Sequence, residues 1–315
     1  MDDRTSFAQG RVTVVGSFAV GLTLRADRFP VSGETVLARD FDQGPGGKGS
    51  NQAVQVARMG APVEFVGRLG DDAFGDVADA LFAEEGVGTT FLRRTSARNT
   101  GLGFIVIDAA GDNRILLDPG ANALFARADV ADAAAAIATS AVVMAQLEIP
   151  VEAAHEGLRL GREKGALTVL NPAPVRPLPP EIFDVADILT PNQTEARILL
   201  GLSPADPIDD MEACGRLLAL GAHTVVLTRG SEGAVIVTSD GSVALPAQPV
   251  DVVDSTGAGD AFNGTLAAGL ARREALEDAV ARAVAAGALA CTKLGVIPSL
   301  PRRADVEALL TGPSR

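Results

Sequence analysis

In this 315-residue chain the clearest chemistry lies at Asp254-Ser255-Thr256-Gly257-Ala258-Gly259-Asp260-Ala261-Phe262-Asn263-Gly264. The small residues at 257–259 let successive backbone amides crowd together and point one way. They lead into a segment of helical pattern, whose first N–H groups lack intrahelical partners. Amides and helix dipole together favour an anion, and equally the charge that develops on a phosphoryl group in transfer. Asp260 stands where that helix begins. A carboxylate there can take the proton of an incoming hydroxyl, the one acid–base step that phosphoryl transfer requires. The blander account has Asp260 capping the helix and the glycines making a turn.

A second glycine cluster, Gly44-Pro45-Gly46-Gly47-Lys48-Gly49, satisfies the spacing of a dinucleotide fingerprint. It follows the extended segment Phe41-Asp42-Gln43 rather than the first strand of a βαβ unit, and no ribose-binding acid stands in register. Nor is it a Walker A loop, because Gly49 follows Lys48 where Ser or Thr is required. These glycines fit the close approach of backbone to a small polyol.

The elements that must position these residues follow a simple rhythm. Strands are expected at Arg11–Gly16, Val63–Val66, Ala141–Ala145, Leu167–Leu170, Asp187–Leu189 and Thr224–Leu227. Helices are expected at Ser50–Met59, Asp76–Glu85, Arg127–Thr139, Glu152–Lys164, from Gln193, around Met211–Leu220, at Ala261–Ala271 and at Ala275–Thr292. A hairpin is read at Val235–Val237 and Ser242–Leu245. Repeated β–α units define an α/β class with a mostly parallel central sheet flanked by helices. Two regions break the rhythm. Residues 17–43 read as extended segments around turns at Phe29-Pro30 and Ser32-Gly33, and residues 101–117 read as a hairpin turning at Ala110-Gly111-Asp112. The expected organisation is one α/β domain over 1–315, with a small antiparallel β lid formed by 17–43 and 101–117. An ordinary edge extension of the main sheet is the alternative.

Composition narrows the partners. A formal net charge of −13 repels phosphodiester backbones and anionic membranes, while leaving room for a nucleotide in a locally positive pocket. Two cysteines, Cys214 and Cys291, far apart in sequence, give no disulfide framework, and with only His155 and His223 beside them no His/Cys metal site is expected. The polar opening MDDRTSFAQGR has no apolar leader core, and no apolar run reaches membrane-span length, so a cytoplasmic protein is expected.

The wider pattern resembles the ribokinase-like (PfkB) carbohydrate kinases. The segment DSTGAGDAFNG is similar to their C-terminal signature and GPGGKGSNQAVQVARMGA at 44–61 to their N-terminal one. Further matches are VGRLGDDAFG at 66–75, LEIP at 147–150, NPAP at 171–174, TPNQTEA at 190–196 and TRGSEGA at 228–234. The resemblance spans about residues 11–310. It implies a kinase that transfers the γ-phosphoryl group of ATP to a sugar-like alcohol. Asp260 would be the base, with Gly257, Ala258 and Gly259 as the anion hole. Gly46, Gly47, Lys48, Asn51 and Glu148 would meet the sugar. Asn192 and Glu195 would organise Mg2+ and phosphate, and Thr228 and Gly230 would lie along ATP. Asp254, Thr256, Ala290, Lys293, Gly295 and Ser299 match loops that hold a monovalent cation, usually potassium. Pairing of lids in a homodimer is also implied.

One departure stands out. The family segment G-S-x-N-x-D is here Gly16-Ser17-Phe18-Ala19-Val20-Gly21, so Ala19 and Gly21 replace the two polar sugar contacts. Sugar hydroxyls buried there would lose on the order of 1–3 kcal/mol each. Altered acceptor choice is therefore expected: a larger substrate or one with fewer hydroxyls. A nucleoside kinase and a non-catalytic ligand-binding relative are the other readings.

Overall fold

The computed structural model describes residues 10–312; most of the polar opening, residues 1–9, lies outside them, as do residues 313–315. Its strands in chain order are β1 (Val12–Val15), β2 (Ala19–Arg25), β3 (Arg39–Gly46), β4 (Val63–Gly70), β5 (Gly88–Thr95), β6 (Gly101–Ile107) and β7 (Asn113–Asp118). They continue with β8 (Val142–Ala145), β9 (Leu167–Leu170), β10 (Ile188–Leu189), β11 (Thr224–Thr228), β12 (Ala234–Thr238) and β13 (Gly241–Leu245).

Short apolar runs such as β1 and β8 bury every side chain, as strands covered on both faces must. Alternation then divides the core. Val12, Val14, Val142 and Met144 join one apolar cluster, whereas Val15, Val143 and Ala145 join another on the opposite face. Among the described residues nine strands form this sheet, in the order β13-β12-β11-β10-β9-β8-β1-β4-β5. Its pairs are parallel except for β11–β12 and β12–β13. The expected mostly parallel α/β fold is what forms.

Six helices frame the site: α1 (Lys48–Arg58), α2 (Ala73–Glu85), α3 (Val151–Glu163), α4 (Gln193–Leu199), α5 (Ala258–Ala271) and α6 (Leu276–Ala290). None of the described helices is long and apolar enough to cross a membrane. Two expectations need correction. The helix read over Arg127–Thr139 breaks into Arg127–Asp132 and Ala134–Ile137, because Ala133 leaves the helical range at φ −87°, ψ 5°. Strand β5 is absent from the sequence reading. Its run Gly-Thr-Thr-Phe-Leu-Arg-Arg-Thr lacks an apolar block, since it is the edge strand, paired only with β4.

The two rhythm-breaking regions build a second sheet, ordered β3-β2-β6-β7. Each region supplies one antiparallel pair, β2–β3 and β6–β7, and the two pairs join through parallel β2–β6. Asp108 shapes the β6–β7 turn, its Oδ1 accepting the N–H groups of Ala110 and Asp112 at 2.9 and 3.0 Å. Asn122 fixes the entry to β2, accepting from Phe18 N–H at 3.1 Å and donating to Phe18 O at 2.7 Å.

Candidate active site

The loop before α5 folds as it does because of Gly257. Its φ of 85° is left-handed, and a Cβ there would lie 2.8 Å from Val296 Cγ1. The first helical bond runs from Ala261 N–H to Gly257 O at 2.9 Å, so the amides of 257–260 precede the ladder. Of these, the Ala258 N–H makes a long 3.2 Å turn bond to Ser255 O. The helix therefore begins at Ala258, three residues earlier than the sequence pattern suggests, and Asp260 lies inside its first turn.

Asp260 is not a cap. Its carboxylate is buried, and both oxygens take side-chain amides from α1: Oδ2 from Asn51 Nδ2 at 2.8 Å and Oδ1 from Gln52 Nε2 at 3.0 Å. Burial raises its pKa above the ordinary aspartate value, against the lowering effect of Lys48 and the two amides. Lys48 opens α1 beside it. Burial penalises the Lys48 ammonium, yet the carboxylates of Asp260, Glu148 and Glu195 together outweigh that and hold its pKa above the ordinary lysine value. Glu148 Oε2 accepts the Ser17 hydroxyl at 2.6 Å and the Lys48 backbone N–H at 2.7 Å, which ties the ends of β1 and β8 to α1. Gly46 ends β3 and Gly47 is the N-cap of α1, and Gly46 O accepts the Ser50 hydroxyl at 2.6 Å.

Asn192 and Glu195 form a reciprocal capping box on α4, each side chain accepting the other's N–H at 2.8 Å. Burial raises the pKa of Glu195 as well, with Lys48 opposing and Asp260 adding to the rise, so it shares the field of the Asp260 cluster. Thr228 ends β11 beside it, donating its N–H to Pro191 O at 3.0 Å, and Gly230 turns the chain with φ 55°. Farther along, Val253 and Asp254 N–H both donate to Cys291 O, at 2.8 and 3.2 Å. That brings Asp254 beside Cys291, just past Ala290 at the end of α6; Lys293 and Gly295 follow in the connecting loop, and Ser299 ends the short helix Val296–Ser299. Asp254 Oδ1 accepts from the Thr256 N–H and hydroxyl at 2.9 and 2.7 Å.

Ser17, Glu148 and Thr228 all sit at the carboxyl ends of parallel strands, where open α/β sheets gather their ligands. Gln52 and Asn171 fall inside segments of the family pattern but take no role from it, and Gln146 lies outside them; all three stand in the same place. An amide carries no signal of its own until the sheet order sets the ends of β8 and β9 beside α1. A cavity of about 380 Å³, lined by Pro119, Ala123, Glu148, Pro150 and Arg176 among others, opens on the outer side of Glu148. Among the described residues no cluster of three or more His, Cys, Asp or Glu could hold a metal ion by itself.

The fold, with its large α/β sheet and small second sheet, is shared with solved ribokinase structures. The solved structure of Arabidopsis thaliana ribokinase complexed with ribose and ATP superposes with a TM-score of 0.91 at 30% identity, covering 98% of this chain and all of that one. Ribokinase of Bacillus subtilis (strain 168) is 37% identical over 95% of this chain and 99% of its own length. Deoxyribokinase of Salmonella typhi is 34% identical over 92% of this chain and 95% of its own. A model of the pfkB family carbohydrate kinases matches residues 9–303, and the chain belongs to that family. It is a carbohydrate kinase.

Proposed function

We propose that this enzyme transfers the γ-phosphoryl group of ATP to a hydroxyl of a sugar or sugar-like molecule, with Asp260 as base. The observation that carries the reading is the Asp260 carboxylate itself: buried, raised in pKa, and set three residues after a left-handed glycine at a helix start. The acceptor hydroxyl gives its proton to Asp260 as its oxygen attacks the γ-phosphorus, and the bond from that phosphorus to the β,γ-bridging oxygen breaks, its electron pair leaving with ADP. The amides of Gly257, Ala258 and Gly259 face the charge that develops, and Lys48 neutralises part of it. Gly46, Gly47, Asn51 and Glu148 hold the acceptor, and Thr228 and Gly230 lie along the nucleotide.

The oxygen donors fit the expected ions. Without a ready-made carboxylate cage, Mg2+ would be held by ATP phosphates and water, with Asn192 and Glu195 as its protein support. The meeting of the 253–256 and 291–299 loops offers the Asp254 carboxylate and backbone carbonyls, donors suited to a hard monovalent cation such as potassium. When bound, that ion would stiffen the loop that carries the anion hole.

The second sheet serves as a lid over the acceptor and as the interface of a homodimer. Supporting the latter, edge strand β7 is exposed at every position, Leu116 and Leu117 included. The same sheet carries the altered acceptor choice. Ala19 pairs with Gly46 and Gly101, and Gly21 with Gly44 and Gly103, so across three strands this stretch of one face bears a single methyl group. A Cβ at Gly44 would meet nothing within 4 Å. Such a face suits an acceptor that is bulkier or has fewer hydroxyls than ribose. The deoxyribokinase relative supports the second form.

The test is ADP release from MgATP with potassium, over a panel of pentoses, deoxypentoses, hexoses, polyols and nucleosides. Turnover of at least one acceptor, lost in Asp260→Asn, is expected. No turnover on any of them would favour a ligand-binding role instead.

A further inference from the structure

We infer that Gln52 is a positioning residue for Asp260, locked in one orientation by Gln146 and Asn171 so that the carboxylate is held and kept charged. This rests on the reading of Asp260 as the base. Three observations carry it.

First, the helices are pressed together where it matters. Gly264 lies one turn beyond Asp260 on α5, and a Cβ there would come within 2.5 Å of Gln55 Cβ and 2.7 Å of Gln52 O. The bare backbone lets α1 approach closely enough for its amides to reach the carboxylate.

Second, the Gln52 amide has no freedom. The side chain is fully buried. Its Nε2 donates to Asp260 Oδ1 at 3.0 Å and to Asn171 Oδ1 at 3.1 Å, while its Oε1 accepts from Gln146 Nε2 at 2.6 Å. A flipped amide would set oxygen against two acceptors and N–H against a donor. The chain of bonds then closes on itself. Asn171 Nδ2 donates to Thr190 O at 3.1 Å, and Thr190 Oγ1 donates to Asn263 Oδ1 at 2.6 Å. Asn263 Nδ2 returns to Gly259 O at 2.8 Å, one residue before Asp260. The ends of β8, β9 and β10 thus brace the first turn of α5.

Third, Asn51 behaves differently. Its Nδ2 holds the other carboxylate oxygen, but its Oδ1 is buried without a partner among the described residues. Asn51 is therefore free to exchange its bond for an acceptor hydroxyl, whereas Gln52 is not. The charged groups around Asp260 are Lys48 of α1, Glu148 beyond β8 and Glu195 of α4. Asn51 and Gln52 are the neutral donors among them, and of the two only Gln52 has both ends of its amide paired.

The experiment is a carbon-13 NMR titration of protein labelled at the aspartate carboxyl, with the Asp260 signal identified by its loss in Asp260→Asn. It needs no acceptor. In Gln52→Met, which keeps the side-chain length, the Asp260 midpoint should rise by about one pH unit, because a donor to the charged form is gone. In Gln146→Met, which does not touch Asp260, it should rise by less in the same direction, and this variant decides the matter if Gln52→Met fails to fold. An unchanged midpoint in either folded variant would mean that Gln52 only fills the core. Wild-type turnover in Asp260→Asn would instead remove the base role and leave the titration result standing.

Discussion

The carboxyl edge of the main sheet and the small second sheet are built on opposite terms. At the edge, bonds run from Asp260 through Gln52, Asn171, Thr190 and Asn263 back to Gly259, with Gln146 holding Gln52 from the end of β8, while Asn51 Oδ1 and Gln146 Oε1 stay without partners among the described residues. In the second sheet, β7 leaves Leu116 and Leu117 exposed at 74% and 70%, and the face around Ala19 and Gly21 is nearly bare backbone. A buried polar network tolerates little change, since each orphaned group loses its hydrogen bond with no water to replace it. On the glycine-lined face the room lies at Gly44, where a Cβ would meet nothing within 4 Å, and at Gly21, where it would meet only Ile105 Cδ1 at 3.6 Å and Gly44 O at 3.7 Å, so these positions can take a side chain singly, whereas Gly101 is packed against Asn122. The proposed change of acceptor would draw on that contrast, leaving the transfer apparatus intact while the facing sheet varies.

The contrast can be broken most severely at the edge. Asp260→Asn should lower acceptor phosphorylation by about a thousandfold, in line with the loss of a general base, while calorimetry shows MgATP still bound. Gly264→Ala should come next. The added methyl pushes α1 from α5, destabilising the fold by roughly 1–3 kcal/mol in thermal unfolding and lowering turnover as the Asp260 amides lose reach. The pH dependence sharpens the same point. As the proposed base, Asp260 must be ionised, and burial holds its pKa above the ordinary aspartate value, so turnover should fall as pH drops through a midpoint higher than an exposed aspartate would give. An acid limb in the ordinary aspartate range would contradict the buried setting. The smallest effect belongs to the second sheet: Leu116→Glu with Leu117→Glu should yield monomers in sedimentation, with stability changed by less than about 0.5 kcal/mol.

Legibility in the sequence followed the same division. Gly257, Gly259 and Asp260 were readable because their types carry local meaning, a left-handed turn and a carboxylate at a helix start. Strands β1, β8 and β9 were readable because burial on both faces demands mostly apolar runs, the one buried threonine in β1 and in β9 being satisfied by hydrogen bonds. Gln52, Gln146 and Asn171 were not, since their value comes only from a sheet order that brings three distant segments together. Asn192 and Glu195 show the reverse: the plain helix-start geometry forms, and their place near Lys48 emerges only from the fold. The break at Ala133 was hidden by an alanine-rich run whose propensity is helical throughout.

The most direct test of the divided design is to rebuild the polar pair on the second sheet. Ala19→Asn with Gly21→Asp should raise kcat/KM for D-ribose about tenfold or more, on the order of the 1–3 kcal/mol that each satisfied hydroxyl is worth, and leave the KM for MgATP unchanged. Equal ribose kinetics before and after the exchange would contradict the account, because acceptor choice would then not be set by that face.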